Sequence, residues 1–314
     1  MPGWAASDIP EQGGRTVLVT GANSGLGLRA AQALAAHGAR VLLGCRNPER
    51  AEAARAEVAA GATGPDPAVV PIDLADLASV RAAAERVAGE VDRLDVLVNN
   101  AGVMAPPLTR TADGFEMQLG TNHLGHFALT GLLLPTVLAA PEPRVVTTSS
   151  NLHHRGKMRW DDPNYEAGRY SRWGAYAQSK LANLLFVQEL GRRAAAAGTH
   201  LVSAGGHPGY AATHLGPNSA AQLDNPLLAR IAGVALAIGD HTLAQSDAAG
   251  ALPLLYAATA PGVGSGDYYG PGGLFEMRGA PVRVRVAPAA ADLGSAHLLW
   301  ELSEQLTGVA YPWP

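Results

Sequence analysis

Thr16-Val17-Leu18-Val19-Thr20-Gly21-Ala22-Asn23-Ser24-Gly25-Leu26-Gly27 runs from a β-branched apolar segment into a glycine-rich turn. An Ala/Leu-rich stretch then continues to His37. The residue types predict a strand, a tight turn and a helix in that order. Glycines in such a turn let the backbone bend sharply and approach a pyrophosphate, whose charge is met by the free amides of the helix N-terminus. A glycine-rich strand-to-helix turn also occurs without any ligand, so this segment alone fixes local structure and leaves the ligand open.

Working outward, the same alternation repeats. Apolar runs at 41–44, 68–72, 94–98, 144–148 and 201–204 alternate with helix-forming stretches at 49–60, 76–88 and 176–197. Gly38 follows the first helix, Pro48 opens the second, and Asp76 is placed to cap the third. Alternating strands and helices predict an α/β fold whose parallel sheet is covered on both faces. No linker divides the chain, which predicts a single domain over 1–314, with a core at 14–276 and a C-terminal tail at 277–314. The glycine-rich stretch 261–288 is expected to hold the last strand. Segments 151–173 and 209–241 break the rhythm after strands, at the carboxyl ends where open α/β sheets bind ligands. The second, with its apolar run 227–239, is expected to form a substrate lid.

The chain has 314 residues, 47% of them hydrophobic, with a formal net charge of −4. That balance gives no electrostatic footprint for nucleic acid, and no Lys/Arg run marks a membrane surface. The longest apolar stretch is interrupted by Arg230, so no membrane span is expected. A lone cysteine, Cys45, cannot form an internal disulfide, and the first residues lack the pattern of a secretory signal; both predict a cytoplasmic protein. His123 with His126, and His153 with His154, have no accompanying ligand set at metal spacing, so no metal site is expected.

Two positions read directly as chemistry. The second strand ends in Gly44-Cys45-Arg46-Asn47, where an NAD site would place an acid against the ribose 2′-hydroxyl. Arg46 can instead pair with a 2′-phosphate, which favours NADP(H). Tyr176 and Lys180 are four apart in a helical stretch and share a face. A free phenol titrates near 10, but a lysine ammonium and a cationic oxidised nicotinamide nearby favour the phenolate. In the reducing direction the phenol would give its proton to a carbonyl oxygen.

Taken in chain order, the glycine turn at 20–27, Asn99-Asn100-Ala101-Gly102, Asn122, Ser149-Ser150 and Tyr176-Ala177-Gln178-Ser179-Lys180 resemble the short-chain dehydrogenase/reductase family. Cys45-Arg46, the segment 121–127, the segment 176–184 and His207-Pro208-Gly209 are most similar to its retinol-dehydrogenase-like group, and the likeness runs from about Arg15 to about Glu276. The resemblance implies a Rossmann-type, doubly wound, mostly parallel seven-stranded sheet. It assigns Tyr176 as acid/base, Lys180 to the nicotinamide ribose, Ser150 to the substrate oxygen, and Asn122 to a water that connects Lys180 with solvent. It assigns the cofactor to Gly21, Asn23, Ser24, Gly25, Leu26, Gly27, Arg46, Asp73, Leu74, Asn100, Ala101, Gly102, Tyr176, Lys180, Pro208, Gly209 and Thr213.

The expected activity is NADP-dependent hydride transfer to or from a ketone, aldehyde or alcohol on an apolar small molecule, by a monomer or homodimer. A reductase of C=C bonds and a non-catalytic dinucleotide sensor remain open alternatives. Ser150 and Tyr176 lie 26 positions apart, so the intervening excursion could shape a substrate pocket or a dimer surface.

Overall fold

A computed structural model describes residues 3–209 and 245–314. The quoted segment folds as read: β1 (Thr16–Thr20) enters the glycine turn, and α1 (Gly25–Ala36) leaves it. Each later strand up to β6 is delivered by a helix. β2 (Arg40–Cys45) is followed by α2 (Pro48–Ala59), β3 (Ala68–Pro71) by α3 (Leu77–Glu90), and β4 (Val96–Asn99) by a longer excursion. That excursion holds a single helical turn, α4 (Met117–Leu119), a wide π turn over Gly120–Leu124, and α5 (Gly125–Leu138). β5 (Arg144–Thr148), α6 (Arg172–Ala196) and β6 (Val202–Gly206) complete the second half.

The caps explain the boundaries. Asn47 Oδ1 accepts the Arg50 amide at 2.8 Å ahead of Pro48, Asp76 Oδ1 accepts the Ala78 amide at 2.9 Å, and Gly38 takes a left-handed φ of +97° beyond α1.

The strand order is β3-β2-β1-β4-β5-β6-β7-β8, parallel except at the last pair. β1 sits between β2 and β4, with Val17 opposite Val41 on one side and Val96 on the other. The crossovers diverge here, and a crevice opens at the strand carboxyl ends. α1, α2 and α7 (Asp247–Thr259) bury their apolar residues against one face, and α3, α5 and α6 against the other.

The sheet has eight strands where seven were expected. β7 (Tyr268–Pro271) pairs with β8 (Pro281–Arg283), which runs antiparallel and places Val282 opposite Gly270. β8 has three residues and opens on proline, too little for alternation to register in the sequence. The tail also contains α8 (Leu293–Thr307), capped by the Asp292 carboxylate on the Ser295 amide at 2.8 Å and closed by Gly308 at φ +64°. Its Trp300 packs edge-on against Phe127 of α5, with ring centroids 5.0 Å apart. The expected lid 209–241, including its apolar run 227–239, lies outside the described residues beyond Gly209. The described residues stop at Gly209 and resume at Gln245, whose side-chain amide donates to the Pro208 carbonyl.

Candidate active site

A cleft of about 850 Å³ follows the carboxyl ends of β1, β2, β4, β5 and β6. It is lined by Gly21, Asn23, Ser24, Gly25, Leu26, Gly27, Arg46, Asp73, Leu74, Asn100, Ala101, Gly102, Ser150, Tyr176, Lys180, Pro208 and Gly209. Asn122 lies just behind this surface, and Thr213 falls outside the described residues.

At the phosphate end the glycines are required by space. A Cβ on Gly27 would overlap the Gly21 carbonyl oxygen, and Gly21 itself sits at φ +67° with its Cβ position 3.0 Å from Ala101 Cα. Ser24 precedes α1 without capping it through its side chain, so the first helical turn faces the cleft uncovered. At the β2 end, the Arg46 side chain is 72% exposed and only loosely paired, with Nη1 3.8 Å from Asp73 Oδ2. Arg50, from the first turn of α2, lines the same end. Sequence reading missed it, although its place in the first turn of the helix that Pro48 opens, just past Arg46, was a usable signal.

At the other end α6 presents Tyr176 and Lys180 together, with Lys180 Nζ 5.6 Å from the phenol ring centre. Lys180 Nζ donates to the Thr148 carbonyl at 3.3 Å, and burial pushes the ammonium down to about 8. Burial pushes the Tyr176 phenol up to about 12, against a smaller opposing effect of its hydrogen bond with Ser150. Burial outweighs that opposing effect, so the phenol's surroundings favour its protonated form.

The adjacent serines divide their tasks. Ser149 Oγ donates to the Lys180 carbonyl at 2.8 Å and pins α6 to the sheet. Ser150 Oγ accepts the Leu152 amide at 3.2 Å and lines the cleft with Tyr176.

Asn122 stands in the π turn, its side chain wholly engaged. Nδ2 donates to the Val103 carbonyl at 3.0 Å and to Ser179 Oγ at 2.9 Å, while Oδ1 accepts the Val103 amide at 2.8 Å. A Cβ on Gly102 would lie 3.0 Å from Asn122 Oδ1 and 3.6 Å from Lys180 Nζ. Gly102→Ala is accordingly expected to lower turnover by about tenfold at nearly constant thermal stability, since it displaces reacting groups by tenths of an ångström. Unchanged turnover in a purified, folded variant would contradict this.

Beyond Tyr176 the cleft becomes apolar, with Met104, Leu152, Trp173 and Met277 at its mouth. Trp173, 49% exposed, stands three residues before Tyr176, and its ring meets the phenol edge-on at 6.3 Å. Helical spacing could have revealed it; Met277 reaches the site only through the β7–β8 hairpin. Among the described residues no group of three or more His, Cys, Asp or Glu gathers at metal distance, and no helix is long and apolar enough to cross a membrane. Cys45 is buried, which pushes its thiol up to about 11.

The profile of the short chain dehydrogenase family matches residues 15–224. The chain is 41% identical over 308 residues to mouse retinol dehydrogenase 14, covering 94% of this chain and 86% of that one. A crystal structure of an uncharacterized protein from Mycobacterium paratuberculosis is similar over 99% of both chains, with a TM-score of 0.79 and 43% identity. A structure described as an NAD(P)-dependent gluconate 5-dehydrogenase from Beutenbergia cavernae, with bound NADP, gives a TM-score of 0.60 and 27% identity over 80% of this chain and 92% of that one.

Proposed function

The chain belongs to the short chain dehydrogenase family, and from that premise we propose that it is an NADP-dependent oxidoreductase acting on the carbonyl of an apolar small molecule. The observation that carries the reading is the gathering of Ser150, Tyr176 and Lys180 on the wall of one cleft, Tyr176 and Lys180 on the same helix face, beside the apolar Met104, Leu152 and Trp173.

The residues present fit a dinucleotide. Gly21 and Gly27 pack too closely on backbone and on Asn100 to carry side chains, a Cβ on Gly25 would meet no protein atom within 4 Å, and the uncovered first turn of α1 offers amides to a pyrophosphate. Arg46 and Arg50 stand where a 2′-phosphate would be met, and Pro208 and Gly209 border the far wall. A bound nicotinamide supplies or accepts the hydride. The Ser150 hydroxyl orients the substrate oxygen against the phenol, and Tyr176 gives that oxygen its proton. Lys180, tethered to Thr148, holds the ribose and fixes the position of the phenol. Asn122 steadies the floor below Lys180 through Val103. Cytoplasmic residence, a monomeric or homodimeric state, and a substrate-covering role for 209–241 with Thr213 at the carboxamide belong to the same reading.

The test is NADPH consumption over a panel of ketones and aldehydes of graded size, with turnover expected on apolar members. Oxidation of NADPH by conjugated C=C compounds alone would replace this reading with the C=C one. NADPH is also expected to bind at least about tenfold more tightly than NADH, a difference of about 1.4 kcal/mol. Arg46→Ala should erase most of that preference in paired titrations. Equal dissociation constants in the wild type would remove the NADP assignment.

A further inference from the structure

His126 is a fully enclosed imidazole, 2% exposed, on the first turn of α5. The reaction just described makes no use of it. Its Nδ1 lies 3.0 Å from the main-chain carbonyl of Asn122, and its Nε2 lies 2.9 Å from Thr20 Oγ1.

These partners fix the proton. A carbonyl can only accept, so Nδ1 must carry the hydrogen. Thr20 Oγ1 already accepts the amides of Asn100 at 2.9 Å and Ala101 at 3.0 Å, which fills both of its lone pairs. Its own hydrogen then has two places to go, the Val98 carbonyl at 3.3 Å or His126 Nε2 at 2.9 Å, and the nearer one is a bare ring nitrogen. Burial pushes the imidazole down to about 4, which keeps the ring neutral near pH 7. Every polar atom is satisfied in one tautomer, and the reverse tautomer would set a bare nitrogen against a carbonyl oxygen.

The carbonyl it holds belongs to an unusual piece of backbone. Through the π turn the Gly125 amide reaches back five residues to the Gly120 carbonyl, and such wide turns leave carbonyls without their usual helical donors. The Asn122 side-chain amide and the Lys180 ammonium both border Gly102, which puts this turn and Lys180 against one stretch of the cleft floor. On its other side the imidazole meets Thr20, which sets the backbone of Asn100 and Ala101 on the cleft floor.

We propose that His126 is a positioning residue for the catalytic centre: as the neutral Nδ1–H imidazole it ties the Asn122 main-chain carbonyl to the Thr20–Asn100–Ala101 junction, holding the floor of the cleft and the surroundings of Lys180 in one register. The proposal rests on the carbonyl-reductase reading for its kinetic consequence, and on the hydrogen bonds alone for its tautomer.

Two substitutions separate the two bonds. In His126→Asn the side-chain amide can stand near the Nδ1 position and keep a donor to Asn122; in His126→Gln it falls near Nε2 and keeps the partner of Thr20. With an apolar ketone turned over by the wild type, kcat should fall at least about tenfold in His126→Gln, which releases the Asn122 carbonyl, and stay within about threefold in His126→Asn, because the Thr20 hydrogen freed there can turn to the Val98 carbonyl. KM and the NADPH dissociation constant should stay within about threefold in both. Equal kcat losses in the two variants, or losses that track a fall in melting temperature, would reduce His126 to a packing residue and overturn the proposal. A measurement on the unmodified protein stands apart from activity: ¹⁵N chemical shifts of the His126 ring near pH 7 should report a protonated Nδ1 and a bare Nε2. The opposite tautomer overturns the proposal even if carbonyl reduction is confirmed. Failure of the wild type to reduce any carbonyl, with the expected tautomer present, would count against the reductase reading and not against the tether.

Discussion

Tyr176→Phe is expected to lower carbonyl reduction on the order of 10³-fold while changing the NADPH dissociation constant by less than about threefold. The substitution removes one oxygen and leaves the ring that packs beside Trp173 and Lys180. It removes the α6 hydroxyl that, in the proposed reaction, meets the substrate oxygen beside Ser150. Because burial holds the phenol near 12, the group is protonated across the neutral range, and reduction by the wild type should show no loss from Tyr176 ionisation up to about pH 9. Stopped-flow hydride transfer and cofactor titration on the same preparation decide it. Wild-type turnover in the Phe variant would mean that the proton comes from elsewhere.

Lys180→Met should abolish turnover and at the same time raise the melting temperature of the cofactor-free protein at pH 7. Lys180 is 4% exposed, and burial lowers it from 10.5 to about 8. Between pH 8 and 10.5 the unfolded chain holds a proton that the folded chain has released, so stability rises with pH through that window. Below pH 8 both states carry the proton, and the fold bears the whole desolvation cost, on the order of 3 kcal/mol. Methionine of similar length removes that cost, and the Thr148 carbonyl keeps a second donor in Asn183 Nδ2 at 2.9 Å. The advantage of the variant should therefore shrink as pH rises toward 10.5. A variant less stable than wild type at pH 7 would show that the ammonium is better satisfied than its surroundings indicate.

What the sequence disclosed follows the range of the forces involved. The glycine turn, the strand and helix alternation, and the Tyr176–Lys180 spacing are local patterns, and the structure places them as read. Separating Ser149 from Ser150 needs the strand's alternation together with the position of α6, which only the folded chain provides. Arg50 and Trp173 each stand near a residue that was singled out: helical spacing from Tyr176 could have marked Trp173, and the first turn of the helix opened by Pro48 could have marked Arg50. The engagement of the Asn122 side chain by Val103 and Ser179, the His126 tether, and the arrival of Met277 on a late hairpin depend on residues brought together from distant parts of the chain. β8 and α8 were hidden for different reasons: the strand is too short to show a period, whereas Asp292 and Gly308 did bracket the helix with a cap and a stop.

The hydrogen bond between Gln245 and the Pro208 carbonyl brings together the two points between which residues 210–244 depart and return. A stretch of chain whose two roots adjoin can be lengthened, shortened or exchanged at a closure cost that grows only with the logarithm of its length. The eight strands and the catalytic helix need not move to accommodate such a change. Selection can thus revise that stretch while the glycine turn and the helix bearing Tyr176 and Lys180 are inherited intact, so that the two vary as separable parts of one gene.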